Sequence, residues 1–211
     1  MRAKSKPVPP KRRSPIAENG KVPPPKRVPN SERRTREHLT PAEVEKILKA
    51  AGQVGRHGSR DATLIMLMYR HGFRVSEVVA LRWDQIDLKQ GLLHVNRLKN
   101  GVPSTHPLRG PELRGLRQLQ RDYPGAYVFA TERGGPMTTA TVRKMIARAG
   151  EVAKLAFPIH PHMLRHACGY KLANDGHDTR SLQQYLGHKN IQHTVRYTEL
   201  APDRFKNFWR D

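Results

Sequence analysis

The chain has 211 residues, enough for one domain with a core of its own. Lys and Arg total 39 against 18 Asp and Glu, a formal charge of +21 that points to a polyanionic partner, nucleic acid first and an anionic membrane surface second. No apolar run reaches the length of a membrane span and no signal-peptide core is evident; the single cysteine, Cys168, excludes an intrachain disulfide framework and fits a reducing, cytoplasmic setting.

Residues 1–36 differ in composition from the rest of the chain. Pro7, Pro9, Pro10, Pro15, Pro23, Pro24, Pro25 and Pro29 break helices and strands, and basic residues such as Lys11, Arg12 and Arg13 stand between them. With few apolar side chains to bury, this segment cannot offset its ordering entropy, so a disordered, basic, proline-rich arm is expected. It reads either as a solubilising tail or as a DNA-contacting arm, with Lys11, Arg12 and Arg13 adding salt-sensitive, sequence-independent affinity.

Residues 37–211 read as one domain, mainly α with a small antiparallel β-sheet. Thr40-Pro41-Ala42-Glu43 is a helix start with a capping box, followed by Val44, Ile47, Leu48 and Ala51 at helical spacing. Ser59 opens a second, largely apolar helix that Gly72 stops. Ser76 or its neighbour starts a short helix with Arg74 at its mouth, where an anion would meet both a guanidinium and outward N–H groups; simple pairing with Glu77 is the competing reading.

Leu92 to Leu98 reads as a strand, Lys99-Asn100-Gly101 as a hairpin tip, and Thr105 to Leu108 as the return strand. A helix is predicted over Pro111 to Tyr123, a short strand at Tyr127-Val128-Phe129, and a helix from Thr138 or Thr139. The last has Val142, Met145 and Ile146 inward and Arg143, Lys144 and Arg148 outward, either as a solvated face or along a DNA backbone. Further helices are predicted from Pro161 to a stop at Asn174-Asp175-Gly176, from Asp178 or Thr179 to Gly187, and over Ile191 to Leu200.

The chemistry-bearing window is His160-Pro161-His162-Met163-Leu164-Arg165-His166, with Leu186-Gly187-His188 and Tyr197 beyond it. His162 and Arg165, three apart, share a helix face. His162 and His166 have zinc-ligand spacing with Cys168 or His160 nearby, but Met163 stands where a metalloprotease helix carries its glutamate, and no third ligand is obvious. Ordinary structural histidines are a second reading. Binding and protonation of a phosphodiester, with Tyr197 as nucleophile, is the third.

At this point the sequence resembles the tyrosine recombinase (phage integrase) family across roughly residues 37 to 200. The matching stretches are Gly72-Phe73-Arg74-Val75-Ser76-Glu77, a hairpin lysine at Lys99, the His162-x-x-Arg165-His166 motif, and Leu186-Gly187-His188 followed nine residues later by Tyr197. The usual helical core-binding domain has no counterpart ahead of this region, an architecture similar to the compact fimbrial-switch inverting recombinases.

The resemblance implies a site-specific DNA recombinase. Tyr197 would attack the scissile phosphate to form a 3′-phosphotyrosine. Arg74 and Arg165 would hold the non-bridging oxygens, and Lys99 would protonate the leaving 5′-oxygen. His162 would assist proton transfer at the tyrosine, His188 would orient the phosphate or act as a second donor, Glu77 would tether the site, and His166 would support it. No metal and no cofactor are implied.

The implied partner is double-stranded DNA, without a membrane. The implied assembly is a homotetramer on two DNA sites, with a monomer or weak oligomer in isolation and a place for DNA-bending accessory proteins. The implied location is the cytoplasm, in association with the nucleoid. Inversion, integration and excision all remain open as outcomes. A type IB topoisomerase-like enzyme and a non-catalytic DNA-binding regulator are the alternatives. Phe205, Phe208 and Trp209 are expected to pack either within the chain or on a neighbouring protomer.

Overall fold

The computed structural model describes residues 36–98 and 101–199. Lys99, the arm residues Lys11, Arg12 and Arg13, and the C-terminal Phe205, Phe208 and Trp209 lie outside the described residues.

Helix α1 spans Pro41–Gln53. Thr40 caps it, accepting from the Glu43 N–H at 3.3 Å, while the Glu43 carboxylate accepts from the Thr40 N–H at 2.8 Å. Arg36, expected at the end of the arm, instead belongs to this helix start: its guanidinium donates to both oxygens of Glu43. Helix α2, Gly58–His71, begins one residue before the expected Ser59 and ends in the left-handed Gly72, φ +59°. It is the axis of the fold, packing on α1, on α4 (Gly110–Asp122) and on α6 (Pro161–Asn174). Its Leu64, Ile65, Leu67 and Met68 are fully buried.

Past Gly72 the chain turns at once into the five-residue helix α3, Val75–Val79. A three-stranded antiparallel sheet follows in the order β1-β2-β3, with β1 at Ile86–Asp87, β2 at Leu92–Val95 and β3 at Ser104–Pro107. The register pairs Leu93 with His106 and Val95 with Ser104. Strand β1 was not anticipated, because two residues carry no periodic signal. Conversely, Tyr127-Val128-Phe129 is not a strand. Tyr127 makes a single bridge to Arg82 and Ala130 another to Pro136, so the buried Val128 and Phe129 belong to a loop that is apolar for packing.

Helix α5, Thr139–Val152, is capped by Thr138 and packs on α3. Helix α6 follows, then α7 (Thr179–Leu186), capped by Asp178 and closed by the left-handed Gly187, then α8 (Gln192–Glu199). Helices α7 and α8 both rest on α6. Among the described residues no helix is long and apolar enough to cross a membrane.

Candidate active site

The site grows from the turn between α2 and α3. Phe73 is buried, and this anchors Arg74 as the N-cap residue of α3. Glu77, one turn later, reaches back: its Oε2 accepts from the Arg74 N–H at 2.9 Å and its Oε1 from Arg74 Nη1 at 2.7 Å. The anion at the mouth of this helix is therefore Glu77 itself, and pairing with Arg74 is real. The Arg74 side chain stays partly exposed while that of Glu77 is fully buried.

Two more guanidiniums converge on the same carboxylate. Arg97 Nη1 donates to Glu77 Oε2 at 3.1 Å, and Arg165 Nη1 stands 4.0 Å from it. Arg165, on α6, also donates to the Gly72 carbonyl and, through Nη2, to the Leu186 carbonyl at 2.7 Å. Burial, then repulsion from Arg74 and Arg97, pulls its pKa down to about 10, and Glu77 partly offsets this; it remains charged at neutral pH. For Glu77, burial acts to raise the pKa but is outweighed by the Arg74 N–H and the three guanidiniums, so it titrates below its ordinary value. Three guanidiniums around one carboxylate leave an excess of positive charge.

Tyr197, on α8, is almost fully buried. Its ring lies 6.3 Å from the His188 ring, stacked, and edge-on to Tyr170 at 5.0 Å. Its hydroxyl is 2.8 Å from Nδ1 of His166. Burial pushes the phenol up to about 12, against the lowering influence of Arg165 and Arg196. Burial likewise holds His166 near 3, so this imidazole is neutral. His188 follows Gly187 at the end of α7, with its Nδ1 2.8 Å from Thr194 Oγ1; burial, then Arg165 and Arg74, lowers it to about 3.

The structure thus gathers Arg74, Glu77, Arg165, His166, His188 and Tyr197 around one turn. His162 and Arg165 lie three apart on the same helix but differ in burial. His162 is exposed in the first turn of α6, near His160, whereas Arg165 is buried, and the imidazole that meets the phenol is that of His166. Cys168, weighed as a metal ligand, is buried and its thiol donates to the Arg70 carbonyl, with burial raising it to about 12. Among the described residues no three metal-binding side chains converge. Arg143, Lys144 and Arg148 are exposed on α5, the helix that packs on α3. An apolar cleft of about 500 Å³ beside His71, Glu112, Leu182 and Tyr185 contains none of the predicted catalytic residues.

Sequence reasoning missed Arg97. The inward positions along β2 and just beyond it run Leu93, Val95, Arg97, all buried, so a cation placed in register with two core residues was the available signal.

Residues 37–204 match the model of the phage integrase family. The type 1 fimbriae regulatory protein FimB of Escherichia coli K12 is 43% identical over 185 residues, covering 85% of this chain and 92% of FimB. Tyrosine recombinase XerD of Ralstonia nicotianae is 35% identical over 176 residues, covering 80% of this chain and 57% of XerD. Among solved structures, a lambda integrase dimer bound to a COC′ core site superposes with a TM-score of 0.64 at 24% identity, over 83% of this chain and 50% of that one, a likeness of fold.

Proposed function

We propose that this chain, which belongs to the phage integrase family and is a tyrosine-type site-specific DNA recombinase, breaks and rejoins DNA through a phosphotyrosine at Tyr197. Its partner is double-stranded DNA. The observation that carries the mechanism is the Glu77 cluster, in which three guanidiniums share one carboxylate close to a buried tyrosine.

Arg74 and Arg165 present forked donors that stay charged at working pH, suited to the non-bridging oxygens of a phosphodiester. Tyr197 Oη attacks phosphorus and the bond to the 5′-oxygen breaks. Lys99 protonates that oxygen, leaving a 3′-phosphotyrosine and a free 5′-hydroxyl. The phenol proton leaves through an imidazole, with His162 the exposed candidate beside the DNA. Rejoining reverses these steps with a 5′-hydroxyl as nucleophile, so the linkage energy is conserved. The bond to His166 holds the phenol before DNA arrives, and the hydroxyl must leave it to meet a phosphate. Arg143, Lys144 and Arg148 add backbone contacts, as do Lys11, Arg12 and Arg13 of the arm. Strand exchange takes place in a tetramer on two DNA sites.

A nicked substrate whose cleavage releases a short fragment tests this. Wild-type protein should accumulate a denaturant-resistant protein–DNA adduct, whereas Tyr197→Phe should bind the same DNA and form none. An adduct with Tyr197→Phe would remove Tyr197 as the nucleophile.

A further inference from the structure

We infer that Arg97 is a positioning residue that aims both phosphate-binding arginines; this rests on the reading of Arg74 and Arg165 as the phosphate clamp. The Arg97 side chain is 0% exposed, so it cannot touch DNA. Its guanidinium is occupied by four protein oxygens: Glu77 Oε2 at 3.1 Å, the Gly72 carbonyl at 3.3 Å, the His71 carbonyl at 2.9 Å and the Tyr185 carbonyl at 2.6 Å.

Three of these contacts, to Glu77, Gly72 and Tyr185, reach a catalytic arginine at one remove. By occupying Oε2, Arg97 fixes the plane of the Glu77 carboxylate and so the direction of Oε1, which holds Arg74. The Gly72 carbonyl accepts from Arg97 and Arg165 together. The two guanidiniums then run in parallel to consecutive carbonyls at the end of α7, Tyr185 for Arg97 and Leu186 for Arg165, two residues before His188. The C-terminal end of that helix carries partial negative charge, which lets two cations lie side by side there. The planar fork matters more than the charge, because a lysine ammonium cannot bridge the same four acceptors. The Arg97 guanidinium also lies over the Phe73 ring at 5.6 Å, which fixes the residue preceding Arg74.

The test uses Arg97→Lys and Arg97→Met in single-turnover cleavage of two substrates, one with an ordinary scissile phosphate and one with a neutral methylphosphonate there. Loss of a non-bridging anionic oxygen reduces the demand for a cationic clamp. On the ordinary substrate both variants should lose about 10²-fold in rate, the scale of an ångström of misplacement. On the methylphosphonate they should approach the wild-type rate, with DNA affinity unchanged on both. A defect that merely loosens the fold would slow both substrates alike and overturn the inference, as would a wild-type rate for Arg97→Lys on the phosphate.

Arg74→Ala is the control. If it is rescued and the Arg97 variants are not, the inference alone fails; if it is not rescued either, the clamp reading fails with it. Should the Arg97 variants not fold, Gly101→Ala takes their place. Its Cβ would stand 2.6 Å from Arg97 Cβ and 2.8 Å from the Gly187 carbonyl, displacing the same side chain from the hairpin side. It should show the same substrate-dependent loss, and equal slowing on both substrates would again overturn the inference.

Discussion

Arg74 and Arg165 look equivalent in sequence and differ in what surrounds them. Arg165 is buried against two backbone carbonyls; Arg165→Ala would leave the Leu186 carbonyl short of a donor, costing about 1–3 kcal/mol in addition to lost catalysis, while the Gly72 carbonyl would keep Arg97. Arg74 is partly exposed, and Glu77 would keep Arg97 after its removal. Arg74→Ala should therefore lower the cleavage rate on an ordinary phosphate by about 10²–10³-fold while the thermal midpoint changes little, as read by single-turnover kinetics beside a melt. A large drop in the midpoint would recast Arg74 as a structural residue.

The placement of the nucleophile depends on how α8 meets α6. Tyr197 lies flat on Gly169, where a Cβ would come within 2.7 Å of the ring. Gly169→Ala must then push the ring outward or separate the helices, an overpacking cost of about 1–3 kcal/mol. The expected result is slower adduct formation at unchanged DNA affinity, measured by gel shift and adduct yield on the same substrate. The second helix contact, His188 to Thr194, ties the end of α7 to the helix bearing the tyrosine.

Across the molecule, burial leaves three imidazoles neutral: His106, His166 and His188, each lowered to about 3 from an ordinary 6.5, with burial the largest cause. Between those values the unfolded chain holds protons that the native chain does not. Stability is therefore complete above about pH 6.5 and is lost as pH falls toward 3, by up to about 1.4 kcal/mol per pH unit for each histidine. Thermal melts should shift steadily downward from pH 7 to pH 5, and His166→Gln should flatten that slope. A midpoint constant over this interval would mean that the histidines are protonated in the folded protein.

Local signals carried most of the elements. The Thr40–Glu43 box, the stops at Gly72 and Gly187 and the Asp178 cap each act within a few residues, through backbone geometry and hydrogen bonds that the chain dictates wherever it lies. The hairpin strands and the helices bearing Arg165 and Tyr197 were legible for the same reason, and motif spacing named Arg74, Lys99, His162, Arg165, His188 and Tyr197, with Glu77 and His166 in support, as residues to find together; Lys99 lies outside the described residues and His162 is exposed. Strand β1 and the loop at Tyr127 were not legible, because two paired residues or a buried apolar loop produce no distinctive period.

The role of each side chain depended on partners far away in the chain. Arg97 finds its acceptors at positions 71, 72, 77 and 185, and His166 finds the phenol 31 residues on. In sequence a lysine or arginine near a hairpin is a solvated charge by default. Only the closing of α7 and β2 over the Gly72 turn removes water from Arg97, and burial then obliges that cation to meet a carboxylate and three carbonyls.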